Sequence, residues 1–180
     1  MTRLFSLFAA ISLCVLLNHN AMGQQLSELD KARAIAVKVN DVLTDYIRVH
    51  DDVFTVSARR IMPIPGVFEA IDFKSHVSRL RKQRQTLASV DGEISTWLRQ
   101  GVRDVKVRTF VLRLRDYNQA LSKTLAHFEA ISQNLYKKSQ DPTHYSWDTY
   151  NKDLDAYQQS IDEYRRLGVA LNEAYQVLTE

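Results

Sequence analysis

The chain has 180 residues, with 24 Lys and Arg against 21 Asp and Glu, a formal net charge of +3 and 45% apolar residues. That is one domain's worth of sequence, too balanced in charge for an obligate nucleic-acid binder and too apolar for a disordered chain. Five Gly and three Pro, thinly spread, exclude collagen-like and low-complexity classes.

Residues 1–23 read as a secretory signal peptide. Arg3 supplies the positive start, Leu4 to Leu17 is an unbroken apolar or small run, and Ala21-Met22-Gly23 sets small residues where a signal peptidase cuts. The run is 14 residues long, short of the roughly 20 that a spanning helix needs, so cleavage is expected rather than retention as an anchor. Cys14 follows the bulky Leu13, which argues against a lipid-modified cysteine. Residues 24–180 then form the working domain, and they hold no cysteine. An exported domain without disulfides fits a bacterial periplasm, or secretion, and with no second long apolar stretch it is expected to be soluble.

Four segments follow, each with apolar residues stepping by three and four. The first carries Ile35, Val39, Val42, Tyr46, Val49, Val53 and Val56, flanked by Ala36, Leu43, His50 and Ser57. The second carries Phe73, Val77, Leu80, Leu87, Ile94 and Leu98, with Val90 and Trp97 beside them. The third runs Val107, Phe110, Leu114, Tyr117, Leu121, Thr124, Phe128, Ile131 and Leu135. The fourth runs Trp147, Tyr150, Leu154, Tyr157, Ile161, Tyr164, Gly168, Leu171, Tyr175 and Leu178. Such spacing places one apolar seam on each helix, which other helices must cover.

The breaks between segments have physical causes. Pro63, Pro65 and Gly66 stop the first helix, because proline lacks the amide donor and restricts its predecessor. Gly101 reads as a C-terminal cap of the second. Asp141-Pro142 reads as an N-cap and first helical residue of the fourth. Gly92 is a weak point at which the second helix could end early. The fold expected is all-α: an antiparallel, up-down-up-down four-helix bundle with helices of about 35 residues. Charge agrees, since residues 102–140 sum to +5 and residues 141–180 to −5, which suits consecutive, facing helices.

Candidate sites are few. No haem-attachment, di-iron, zinc-hydrolase or phosphate-loop motif is present, so no enzyme and no cofactor are expected. Helical rise puts His50, His76 and His127 in the same third of the bundle as His144, which lies in Asp141-x-x-His144-x-x-x-Asp148. Imidazole suits transition metals and haem iron, so these four residues are the candidate ligands of a metal- or haem-binding bundle, the alternative function. Solvated or core-edge packing is the simpler account, because His50 flanks its seam on the side opposite to His76 and His127, so the rings need not converge.

Arg84 and Asp91 occupy seam positions of the second segment, and Gly168 replaces a large residue in the fourth. Asp91 and Gly168 fall at one level near Ala36, so Arg84, Asp91 and Gly168 mark a candidate pocket for a small polar ligand. A slight rotation of the second helix, bringing Gln83 and Val90 inward, would send both charges to water instead. The basic residues between Arg79 and Arg115 read as a solvated face, partly paired with the acidic fourth helix, or else as a docking surface for an acidic partner or an anionic membrane, not as a nucleic-acid site. Tyr150, Tyr157 and Tyr164 fit core packing with hydroxyls at its edge. At the Pro63 turn, Ile61, Met62, Ile64 and Phe68 either plug the end of the bundle or form a docking knob for a partner or a lipid surface. The function expected is binding of a protein partner or a small ligand in the cell envelope.

Overall fold

The computed structural model describes residues 27–58 and 71–179. The leader of residues 1–23 and the tip residues Ile61, Met62, Ile64 and Phe68 lie outside the described residues. Among the described residues the chain is all-helical, with four helices and no strand: α1 Glu28–Ala58, α2 Phe73–Gln100, α3 Val105–Gln140 and α4 Trp147–Thr179. None of these helices is long and apolar enough to cross a membrane.

Short polar side chains start each helix by accepting the amide hydrogens that the first turn leaves unpaired. Ser27 accepts from the Asp30 amide and donates to the Asp30 carboxylate. Asp72 accepts from Ser75, and Asp104 accepts from Lys106 and Val107. The Glu28 carboxylate, at the start of α1, takes the amides of Arg103 and Asp104 at 3.0–3.2 Å and so ties α1 to the turn before α3. Gly101 caps α2 with φ +93°. Helix α2 runs unbroken through Gly92.

The fourth helix begins later than the Asp141-Pro142 signal suggests. Asp141 instead closes α3, its amide donating to the Lys137 carbonyl, while its carboxylate turns the chain by accepting from Thr143. Ser146 is the capping residue, accepting from the Thr149 amide at 3.1 Å. Trp147, expected in the seam, is consequently 46% exposed, its ring edge-on to Tyr150 and under the Lys138 ammonium.

The seams of α1 and α3 are buried throughout the described range, from Ile35 to Val53 and from Val107 to Leu135. In α2 the buried ridge is Phe73, His76, Leu80, Gln83, Leu87, Val90, Ile94 and Trp97, a strict alternation of three and four. The neighbouring row Val77, Arg84, Asp91 and Leu98 is only half-buried. The helix is turned by one position because Arg84 and Asp91 inside the core would be charges without water. Gln83 inside is tolerated, since its amide donates to Asp45 at 2.8 Å.

Helix α3 packs against all three other helices, and so is buried on more than one side. Polar contacts stitch it to its neighbours. Asn118 donates to the Leu87 carbonyl of α2 at 3.0 Å and Thr124 to the Ser160 carbonyl of α4 at 3.0 Å, both in the core. Glu129, buried on α3, receives Arg84 at 2.8 Å and Arg81 at 3.2 Å. Asp91 receives Arg115 at 3.3 Å and Gln119 at 2.8 Å.

Partner numbers run in opposite senses along neighbouring helices. Lys38 meets Glu93 and Asp45 meets Arg79. Asp91 meets Arg115, whereas Arg81 meets Glu129. Phe110 meets Tyr175, Tyr117 meets Tyr164 and Phe128 meets Tyr157. One face differs from the others: among the described residues no Cα of α1 comes within 8 Å of a Cα of α4.

Candidate functional site

Where α1 and α4 bring no Cα atoms within 8 Å of each other, aromatic side chains join them. Tyr46 of α1 stands edge-on to Phe128 and Tyr164, with ring centres 6.1 and 6.4 Å away. Its hydroxyl lies 2.5 Å from that of Tyr157, in the buried interior. One turn further along α1, His50 packs among Phe54, Phe128 and Tyr157, while its Nδ1 faces the Asp51 carboxylate at 3.3 Å. Burial lowers the His50 pKa, with the nearby Arg165 charge acting in the same direction and Asp51 opposing both. The ring is therefore neutral at pH 7.

Burial also raises the pKa of Tyr46, Tyr117, Tyr157 and Tyr164 above the usual phenol value. The Arg165 charge works against that rise at three of them, Tyr46, Tyr157 and Tyr164. A cation and several protonated phenols thus share the seam. Phenols in this state hold or donate protons; they are poor bases at neutral pH.

Beside this cluster lies a cavity of about 30 Å³, partly open, between α1, α3 and α4. Ala36, Val39, Leu43, Leu114, Gly168 and Leu171 give it apolar walls, and Asn40 and Asn172 also border it. Gly168 and Ala36 are its smallest lining residues. Tyr117 lines it too, and the Tyr117 hydroxyl is buried with no hydrogen-bond partner in the structure.

The candidate residues distribute as follows. Gly168 lines the cavity, together with Ala36 at the level expected. Arg84 and Asp91 do not line it; they sit on the other side of the molecule, bonded to Glu129 and to Arg115 and Gln119. Of the histidines, His50 is in the seam, His76 is buried on α2 with its Nδ1 unpartnered, His127 is half-buried on α3, and His144 is exposed before α4. Among the described residues no group of three or more His, Cys, Asp or Glu is placed to hold a metal ion.

Sequence reasoning passed over Tyr117, Arg165, Asn40 and Asn172. Tyr117 sits on a seam position like any core aromatic, and nothing along the chain shows that its hydroxyl ends without a partner. The only signal was the pair of small residues, Ala36 and Gly168. Set against known proteins, the chain matches no family model, no curated protein and no solved structure.

Proposed function

We propose that this is an exported, non-catalytic helical-bundle protein of the cell envelope that acts by binding a small ligand in the seam between α1 and α4. In this reading the four helices run up, down, up and down, which the opposed numbering of contacting residues supports. Export is supported by the charged start, apolar run and small-residue ending of residues 1–23.

The observation that carries the binding role is the seam itself. A well-packed bundle closes its helices on one another, whereas here α1 and α4 stay apart at backbone level and enclose an apolar cavity bordered by a partnerless hydroxyl. The polar groups nearby are protonated phenols, a neutral imidazole and a guanidinium, a set suited to recognising a ligand and not to abstracting protons from one.

Expression of the full chain in a bacterium with two membranes tests the first half of the proposal. The mature protein is expected in the periplasmic fraction, shortened by 23 residues in intact mass; full-length protein in the cytoplasm refutes export. A fragment screen by protein-observed NMR tests the second half. Hits are expected to shift the amides of Val39, Gly168 and Leu171, and a screen whose hits all fall elsewhere on the molecule overturns the seam as the site.

A further inference from the structure

We propose that the cavity between α1, α3 and α4 takes a small uncharged molecule that carries a hydrogen-bond acceptor, with the Tyr117 hydroxyl as the donor and the aliphatic walls around the rest. This rests on the reading of the seam as a ligand site and adds the ligand's chemical class.

The lining sets the charge. None of the residues that border the cavity is Asp, Glu, Lys, Arg or His. An ion entering it would shed water and meet no opposite charge at the walls, which costs far more than burying a neutral group. The polar lining residues, Tyr117, Asn40 and Asn172, are uncharged, and burial keeps the Tyr117 phenol protonated.

The hydroxyl sets the polar contact. Side chains of a helix lean toward its N-terminus, which carries Tyr117 from its own turn toward Leu114 and Phe110, the other α3 residues of the cavity wall. Tyr117 is 4% exposed, and its hydroxyl has no hydrogen-bond partner. A protonated phenol buried in this way has a proton to donate, so the matching ligand brings a lone pair. Its other surface meets Val39, Leu114 and Leu171, which favour hydrocarbon.

Volume sets the size. A water-sized group needs roughly 10–15 Å³ of such space, so about 30 Å³ holds about two, the size of a carbonyl with one methyl group. Any remainder of the ligand lies toward the open side, where Asn172 is exposed.

Three molecules of nearly one shape test the assignment by titration into the isotope-labelled mature protein: acetone, isobutene, in which a methylene replaces the carbonyl oxygen, and sodium acetate, read against sodium chloride. Acetone is expected to shift the Gly168 and Leu171 amides saturably, and acetate at the same concentrations to leave them in place. In Tyr117→Phe acetone is expected to bind about fivefold more weakly, the effect of one hydrogen bond. Isobutene should bind that variant unchanged, which checks that the cavity survives the substitution. If acetate shifts those amides as acetone does, the uncharged class is wrong. If isobutene alone shifts them, or if Tyr117→Phe weakens acetone no more than isobutene, the hydroxyl is not the donor. Each of these results overturns this inference while the seam remains a ligand site. If none of the three shifts those amides, both readings fall together.

Discussion

The hydroxyls of Tyr46 and Tyr157 meet at 2.5 Å inside the protein, one from α1 and one from α4. They join two helices whose backbones stay apart, so each ring both fills the seam and satisfies the other's polar end. Removing one hydroxyl leaves the second buried without a partner, which costs about 1–3 kcal/mol. Tyr157→Phe is therefore expected to destabilise the protein by that amount in urea unfolding. The double variant Tyr46→Phe with Tyr157→Phe is expected to be closer to the unaltered protein than either single one, because no hydroxyl is then stranded. Additive losses in the double variant would show that the pair is not coupled.

Acid is expected to loosen the fold in two stages. His50 and His76 are buried, and burial holds both below the ordinary imidazole value; Asp51 and Arg165 face the first, and Asp52, Asp72 and Arg79 the second. The unfolded chain takes up these protons near pH 6.5 while the native protein resists until lower pH, so acid draws the equilibrium toward the unfolded state. Melting temperature should fall between pH 7 and pH 5, and His50→Phe, which keeps a ring among Phe54, Phe128 and Tyr157, should flatten that slope. A second fall is expected below about pH 4, where Asp45, held low by its bonds to Gln83 and Arg79, must be protonated on unfolding and resists it in the native state. A melting temperature that is constant from pH 7 to pH 5 would mean that neither ring is shielded from water.

What the sequence disclosed, and what it concealed, follows from range. The seams of α1 and α3 are legible because Ile35 to Val53 and Val107 to Leu135 are apolar at every step, so no other rotation buries as much. In α2 two neighbouring rows compete: one has Val77 and Leu98 but also Arg84 and Asp91, the other has Val90 and Trp97 but also His76 and Gln83. Burial cost decides between them, since neutral His76 and amide-bonded Gln83 enter the core and the two charges do not. The start of α4 misleads because Asp141-Pro142 is a sound local signal, overridden when Ser146 provides a cap nearer the packed residues. For the site, Gly168 stands out as a missing side chain. The pairing of that gap on α4 with the partnerless Tyr117 hydroxyl of α3 depends on two different helices, which no local pattern encodes.

Two glycines, Gly92 within α2 and Gly101 just after it, carry opposite predictions. At Gly92 a Cβ would meet nothing within 4 Å, and the residue sits exposed in the middle of a helix. Gly92→Ala should raise stability by about 0.5–1 kcal/mol by restricting the unfolded chain and favouring the helix. Gly101 has φ +93°, where a side chain strains the backbone whatever the space around it, so Gly101→Ala should lower stability by about 1 kcal/mol or more. Chemical unfolding of both variants checks the pair, and stabilisation by both would show that α2 does not end in this conformation.

Tyr117 separates a structural from a functional account of the cavity. If the residue served packing alone, a ring without the hydroxyl would do better, because a buried hydroxyl with no partner costs about 1–3 kcal/mol and its removal leaves the ring contacts with Tyr164 intact. Tyr117→Phe is therefore expected to unfold at higher urea concentration than the unaltered protein. If the hydroxyl serves a ligand, the same variant loses a donor, and acceptor-bearing fragments that shift the Gly168 and Leu171 amides should bind it several-fold more weakly. Stability and binding then move in opposite directions on the loss of a single oxygen atom, the pattern expected when a group is kept in the core for what it holds. A variant that gains stability and binds those fragments unchanged would leave the hydroxyl no part in binding. A variant that loses stability would mean that the hydroxyl is already satisfied in the free protein, and the argument from its isolation would have to be abandoned.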